Sequence, residues 1–236
     1  MNSVPDAQKQ PFHYELTGMI ASQTGKPQEA ENAYKKALEK EPNRTRAERL
    51  LYDQYVQTGK FDEAIKILDD QIKKNPSDRG PYTLKGTLYE RQGKTEEAKQ
   101  SYTLALQGDP NQDIAANNLA VLLSEQGTDL TTALGYAQGV RKRHPEDPNL
   151  ADTLAWVYYK MGRAILAKEP AQFAASKQPG NPLFQYHLGM IYRANNERAE
   201  AQEALKKAIS SPQDFKEKGD AQAALKDIDH WRHLVP

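Results

Sequence analysis

The chain has no cysteine, only five phenylalanines and two tryptophans in 236 residues, and no charge to spare, since 32 basic side chains are matched by 32 acidic ones. Each shortage removes a class of function. Without thiols there is no disulfide framework, no thiolate metal centre and no cysteine nucleophile, and the compartment stays open. With zero net charge, no global field draws the chain toward nucleic acid or an anionic membrane, so any charge-driven binding must be local. No apolar run approaches the roughly 18 to 20 residues that span a bilayer, and no direct membrane insertion is expected. The first ten residues, MNSVPDAQKQ, hold neither a signal-sequence core nor a pattern, and are expected to form a mobile leader.

Catalytic signatures are missing too. The chain holds no H-E-x-x-H, no G-x-x-x-x-G-K-[ST], no G-x-G-x-x-G and no G-x-S-x-G. Of the five histidines, His13, His144, His187, His230 and His233, only the last two have a ligand-like spacing, and a helix C-terminus explains that pair through its dipole. Asp69-Asp70 and Glu96-Glu97 read as solvated helix positions. The compact basic run Arg141-Lys142-Arg143-His144 ends a helix, where cations offset exposed carbonyls, and lacks the interleaved aromatics of a nucleic-acid surface. No enzymatic activity, cofactor, metal or nucleic-acid partner is expected.

What the chain does have is a period. Pro42, Pro76, Pro110, Pro145 and Pro179 follow one another at intervals of 34, 34, 35 and 34 residues. Ala30, Ala64, Ala98, Ala133, Ala167 and Ala201 keep the same beat, as do Gly25, Gly59, Gly93, Gly127 and Gly162, with Asn196 closing the series. Such a period predicts stacked helix pairs, each burying its apolar face against its neighbours. In the third copy, Tyr82, Gly86 and Tyr89 share one helical face and Ala98, Tyr102 and Ala105 another. Gly86 and Ala98 let two backbones approach, Gly93 suits a left-handed helix end, and Pro110 stops the second helix.

Two departures carry their own expectations. The glycines keep step up to Gly127 while the alanines slip by one before Ala133, which puts an extra residue in the turn Thr128-Asp129-Leu130. Pro170 falls inside a second helix and clashes with the carbonyl of Leu166, which predicts a kink or a late start. After Pro212, Phe215, Ala221, Ala224, Leu225, Ile228 and Trp231 form one stripe at helical spacing and read as a capping helix.

These residues resemble the tetratricopeptide repeat family: Tyr14, Gly18, Ala30, Tyr34, Ala37 and Pro42 in the first copy, and Leu188, Gly189, Tyr192, Ala201, Leu205 and Ala208 in the sixth. The resemblance implies an all-α, right-handed superhelical solenoid of about six helix-turn-helix units, residues 11–44, 45–78, 79–112, 113–147, 148–181 and 182–212, with a capping helix and tail at 213–236. It also implies that the first helix of each pair lines a concave groove binding another protein or peptide. Mapped onto that groove, the N-terminal half offers Arg49, Asp53 and Arg91. The C-terminal half offers Asn117, Asn118, Asp152, Trp156, Tyr159, Tyr186, His187, Met190 and Arg193. Trp156 is either a groove anchor or a packing residue against the next repeat. The carboxylate clamp of chaperone-binding members is absent, because Leu50 and Leu84 occupy clamp positions.

The implied function is a non-enzymatic interaction scaffold holding a peptide or helix of its partner. Copies four to six are also similar to bacterial repeat proteins of exopolysaccharide export and envelope assembly. That likeness implies an envelope or periplasmic fragment without its signal, the alternative being a cytoplasmic regulatory or co-chaperone adaptor. Self-association through an open N-terminal edge is a further expectation.

Overall fold

The structure, a computed structural model, describes residues 9–231, without the side chains of residues 230 and 231. The body of the expected leader and His233 lie outside the described residues, as do the side chains of His230 and Trp231. Among the described residues every regular element is an α-helix. The helices are α1 (Pro11–Gln23), α2 (Pro27–Lys40), α3 (Thr45–Gln57), α4 (Phe61–Lys74), α5 (Gly80–Arg91), α6 (Thr95–Gly108), α7 (Asp113–Gln126), α8 (Leu130–Arg143), α9 (Pro148–Lys160), α10 (Ala164–Lys177), α11 (Pro182–Ala194), α12 (Arg198–Ser210) and α13 (Lys218–Trp231). The fold is an all-α helical repeat. It divides into two compact units, one ending at Gly108 and one beginning at Asp109. The first holds three helix pairs, and the second holds three pairs and the single helix α13.

The turn inside each pair follows from one backbone demand. Gly25, Gly59, Gly93, Gly127 and Gly162 all have φ between 67° and 73°, a left-handed conformation that closes the first helix and that glycine adopts without a Cβ penalty. Asn196 takes the same place at φ 62°, the substitution asparagine tolerates best. The extra residue of the fourth copy sits where the sequence puts it: Asp129 is left-handed at φ 43°, and its carboxylate accepts the Thr132 N–H at 3.3 Å, capping α8.

Within pairs, side-chain volumes complement one another. A Cβ at Gly86 would come within 2.4 Å of the Tyr102 ring, one at Gly18 within 2.4 Å of Tyr34, and one at Gly189 within 2.7 Å of Leu205. Where the first helix carries alanine instead, at Ala120 and Ala155, the matching residue of the second helix shrinks to Ala137 and Ala171, and all four are buried. Large meets small and small meets small, which keeps the interior at native density.

Pro170 corrects one expectation. The helix α10 runs unbroken through it, and the proline is buried, so the late start does not occur. The carbonyl its ring deprives of a partner is that of Leu166. At the end of the second unit, Ala221, Ala224 and Ile228 of α13 bury themselves with Ala201, Leu205 and Ala208 of α12. That is the cap an open repeat end requires.

Candidate functional site

In the second unit the first helices of the repeats build a cleft of about 630 Å³. Helix α9 begins where Asp147 accepts the Asn149 N–H at 2.8 Å, with Pro148 in the first turn. From that start Asn149, Asp152, Thr153, Trp156 and Lys160 recur at three and four residues, so they share a face. Helix α11 is fixed likewise, Asn181 accepting the Leu183 and Phe184 N–H groups at 3.0 and 3.4 Å, and it contributes Leu183, Tyr186 and His187. Val121, Ser124 and Glu125 of α7 complete one wall, and Lys216 and Glu217, just before α13, with Asp220 in its first turn complete another.

The floor is a linked set of rings and one histidine–carboxylate contact. His187 Nδ1 lies 2.8 and 3.0 Å from the two carboxylate oxygens of Asp152, and both residues are buried. A buried carboxylate left unpaired would be costly, so this contact fixes both side chains. The His187 ring stacks on Trp156 at 3.9 Å between centroids and 17° between planes, and Tyr159 stacks on it at 4.7 Å and 18°. Two rings that close cannot share one face of an indole, so they flank it. Tyr186 meets Trp156 at a tilt, 5.9 Å away, and Phe215 lies 6.1 Å beyond Tyr186. Burial, followed by the negative charge of Asp220, pushes the Tyr186 phenol up to about 12.

The groove expectation is thereby redrawn residue by residue. Asp152, Trp156, Tyr186 and His187 come together in this cleft. Asp152, Tyr186 and His187 are not rim residues but a buried floor, 5 to 7% exposed, because α11 packs against α9 and α13 closes over α12. Tyr159 backs the indole. Met190 joins the apolar cluster beneath α13, and Arg193 reaches α13 itself, pairing with Asp227 at 3.0 Å. Asn117 and Asn118 line a separate cleft of about 540 Å³ with Asp113, Ile114, His144 and Asp147. In the first unit, Arg49 and Asp53 face each other at 3.9 Å on an exposed helix surface, and Arg91 covers the Phe61 ring at 4.7 Å. The basic run at the end of α8 is spent locally, with Arg143 donating to Asp113 at 2.7 Å and Arg141 lying 4.4 Å over Phe173.

Sequence reasoning missed Lys216, Glu217 and Asp220, because the segment after Pro212 reads only as a cap. The available signal is the charged cluster that follows Phe215 and precedes the apolar stripe.

Two family models described as Tetratricopeptide repeat match the chain, one over residues 21–88 and the other over residues 81–112 and 184–215, together more than half of it. Among curated proteins, a TPR repeat-containing protein of Pseudomonas aeruginosa is 21% identical over 128 residues, which is 54% of this chain and 22% of that protein. A probable UDP-N-acetylglucosamine–peptide N-acetylglucosaminyltransferase, SPINDLY, of Hordeum vulgare is 28% identical over 111 residues, 47% of this chain and 11% of that one. The chain thus spans less than a quarter of the length of either relative. Of solved structures, PilW, described as a widely conserved type IV pilus biogenesis factor, superposes with a TM-score of 0.68 at 17% identity, covering 90% of this chain and 98% of its own. YrrB, described as a TPR protein with an unusual peptide-binding site, superposes with a TM-score of 0.64 at 20% identity, covering 86% and 100%. At these identities the likeness is one of fold.

Proposed function

Since the chain belongs to the tetratricopeptide repeat family, we propose that it is a non-enzymatic protein-interaction scaffold that holds a peptide or helix of its partner in the aromatic cleft of the second unit. The observation that carries this reading is the cleft itself. Three repeats and the cap converge on one concave surface with a rigid aromatic floor and a charged rim, the composition of a peptide groove. Because both faces of Trp156 are taken, the partner meets the edge of the indole, the Tyr186 phenol and the rim side chains Asn149, Lys160, Lys216, Glu217 and Asp220. The Asp152–His187 pair serves as scaffolding of that floor, and the transferase activity in the barley relative's name belongs to a protein of which this chain matches 11%.

The peptide-binding site in YrrB's description and the pilus biogenesis role in PilW's both support an assembly scaffold. PilW's description favours a place for this chain among envelope assemblies.

The test is selection from a phage-displayed peptide library, followed by titration of the selected peptides. A Lys160→Glu, Asp220→Lys double variant should weaken them by roughly tenfold or more, while Lys206→Glu, outside the cleft on α12, should leave them unchanged. Peptides that bind the double variant as well as the unmodified chain would overturn the reading.

A further inference from the structure

Two hydrogen-bonding atoms on the floor of the aromatic cleft have no protein partner. His187 and Tyr186 are 7% and 5% exposed, and both line the cleft. Among the described residues, the hydrogen bonds of His187 all run from Nδ1 to Asp152, which leaves Nε2 over. The Tyr186 hydroxyl makes none, whereas Tyr158 and Tyr192, phenols outside the cleft lining, each accept from a glutamine at 2.9 Å. Neither atom is sealed in the interior, since the fully enclosed side-chain atoms without a partner, among the described residues, belong to Gln92 and Asn117. Nε2 and the hydroxyl therefore open on the cleft. The charges of Asp220 and Glu217, both in its lining, reach the phenol there.

The roles of the two atoms follow from their neighbours. A carboxylate only accepts, so Nδ1 carries the proton that Asp152 takes, and the neutral imidazole presents Nε2 as an acceptor. The Tyr186 hydroxyl supplies a donor. We infer that His187 and Tyr186 are the specificity-determining pair of the cleft and select an amide group, whose N–H donates to His187 Nε2 and whose carbonyl accepts from the Tyr186 hydroxyl, an assignment that rests on the cleft being the partner site. The two ring centroids are 5.6 Å apart, close enough for one ligand group to lie across both. Other groups fit less well. A carboxylate has no donor for Nε2 and would bring a second negative charge beside the buried Asp152. An ammonium has no acceptor for the hydroxyl, and the indole faces that could hold it are already taken by Tyr159 and His187. An apolar side chain would shut both polar atoms away from water without a partner. The amide is uncharged and carries a donor and an acceptor together. Its source is either the partner's backbone or an Asn or Gln side chain.

The test uses library peptides selected on the full chain and weakened by the Lys160→Glu, Asp220→Lys variant, hence bound in the cleft. Each is resynthesised with single backbone amides replaced by esters, which removes one N–H at a time, and with each Asn or Gln replaced by Asp or Glu, which removes a side-chain N–H at nearly constant shape. At pH 8, where an ordinary histidine is neutral, one such replacement should weaken binding by about three- to tenfold. Loss on an ester identifies a backbone amide, and loss on an Asp or Glu identifies a side-chain carboxamide. Tyr186→Phe should weaken the parent peptides by a similar factor with Tm unchanged, whereas Tyr192→Phe, outside the cleft lining, should not. His187→Asn can still donate to Asp152 but lacks Nε2, so it should weaken the parent peptide and erase its advantage over the replaced one. Cleft-bound peptides indifferent to every replacement, or to Tyr186→Phe, would overturn the amide assignment and leave the cleft standing as the partner site. Peptides indifferent to the Lys160→Glu, Asp220→Lys variant would remove both.

Discussion

At Trp156 the ring contacts decide between two readings of one residue. An aromatic at a groove-lining repeat position reads equally as a partner's anchor or as local packing, since spacing does not reveal what covers a ring. Tyr159 and His187 cover both faces, so the indole is first a packing residue and only its edge belongs to the cleft. Replacing it by alanine removes two stacking contacts and much of the wall between α9 and α11. Trp156→Ala is therefore expected to lower stability by about 2 kcal/mol or more, measured by urea denaturation, besides weakening any partner. An unchanged unfolding midpoint would return the residue to a purely ligand-facing role. His187 and Asp152 illustrate the same limit of a linear reading. They are 35 residues apart, both fall at groove positions, and only the packed structure brings them to 2.8 Å and buries the pair.

Among the elements, the turns were the most legible and the last helix the least. The left-handed glycines, Asn196 and the extra residue at Asp129 are local backbone demands, and local demands are written in the residues that meet them. The late start expected at Pro170 fails because α10 begins six residues before the proline, at Ala164, and runs on through it. Helix α13 was read as a cap, and it is one, but Asp220 in its first turn, with Lys216 and Glu217 in the turn just before it, also supplies a wall of the cleft. The two roles are mechanically linked. Ile228→Ala, which empties a buried position beneath the cap, should cost about 2 to 4 kcal/mol, a fall in Tm of roughly 5 to 15 °C, and should loosen the cleft along with it. Loss of stability without loss of affinity for a selected peptide would mean that the cap and the wall act separately.

For the whole molecule, the repeat class was legible because six copies report one pattern, whereas the functional surface was legible only as a row of repeat positions. Those positions divide in the structure between an aromatic cleft, a second amide-lined cleft and first-unit side chains engaged with their neighbours, a division set by contacts between repeats. The central claim is that one of these surfaces, the aromatic cleft, is where the scaffold holds its partner. Hydrogen–deuterium exchange of the intact chain, with and without a library-selected peptide at saturation, tests it most directly. The account predicts added protection in α9, in α11 and in the first turn of α13. Protection confined to the first unit, or to the second helices of the repeats, would contradict it.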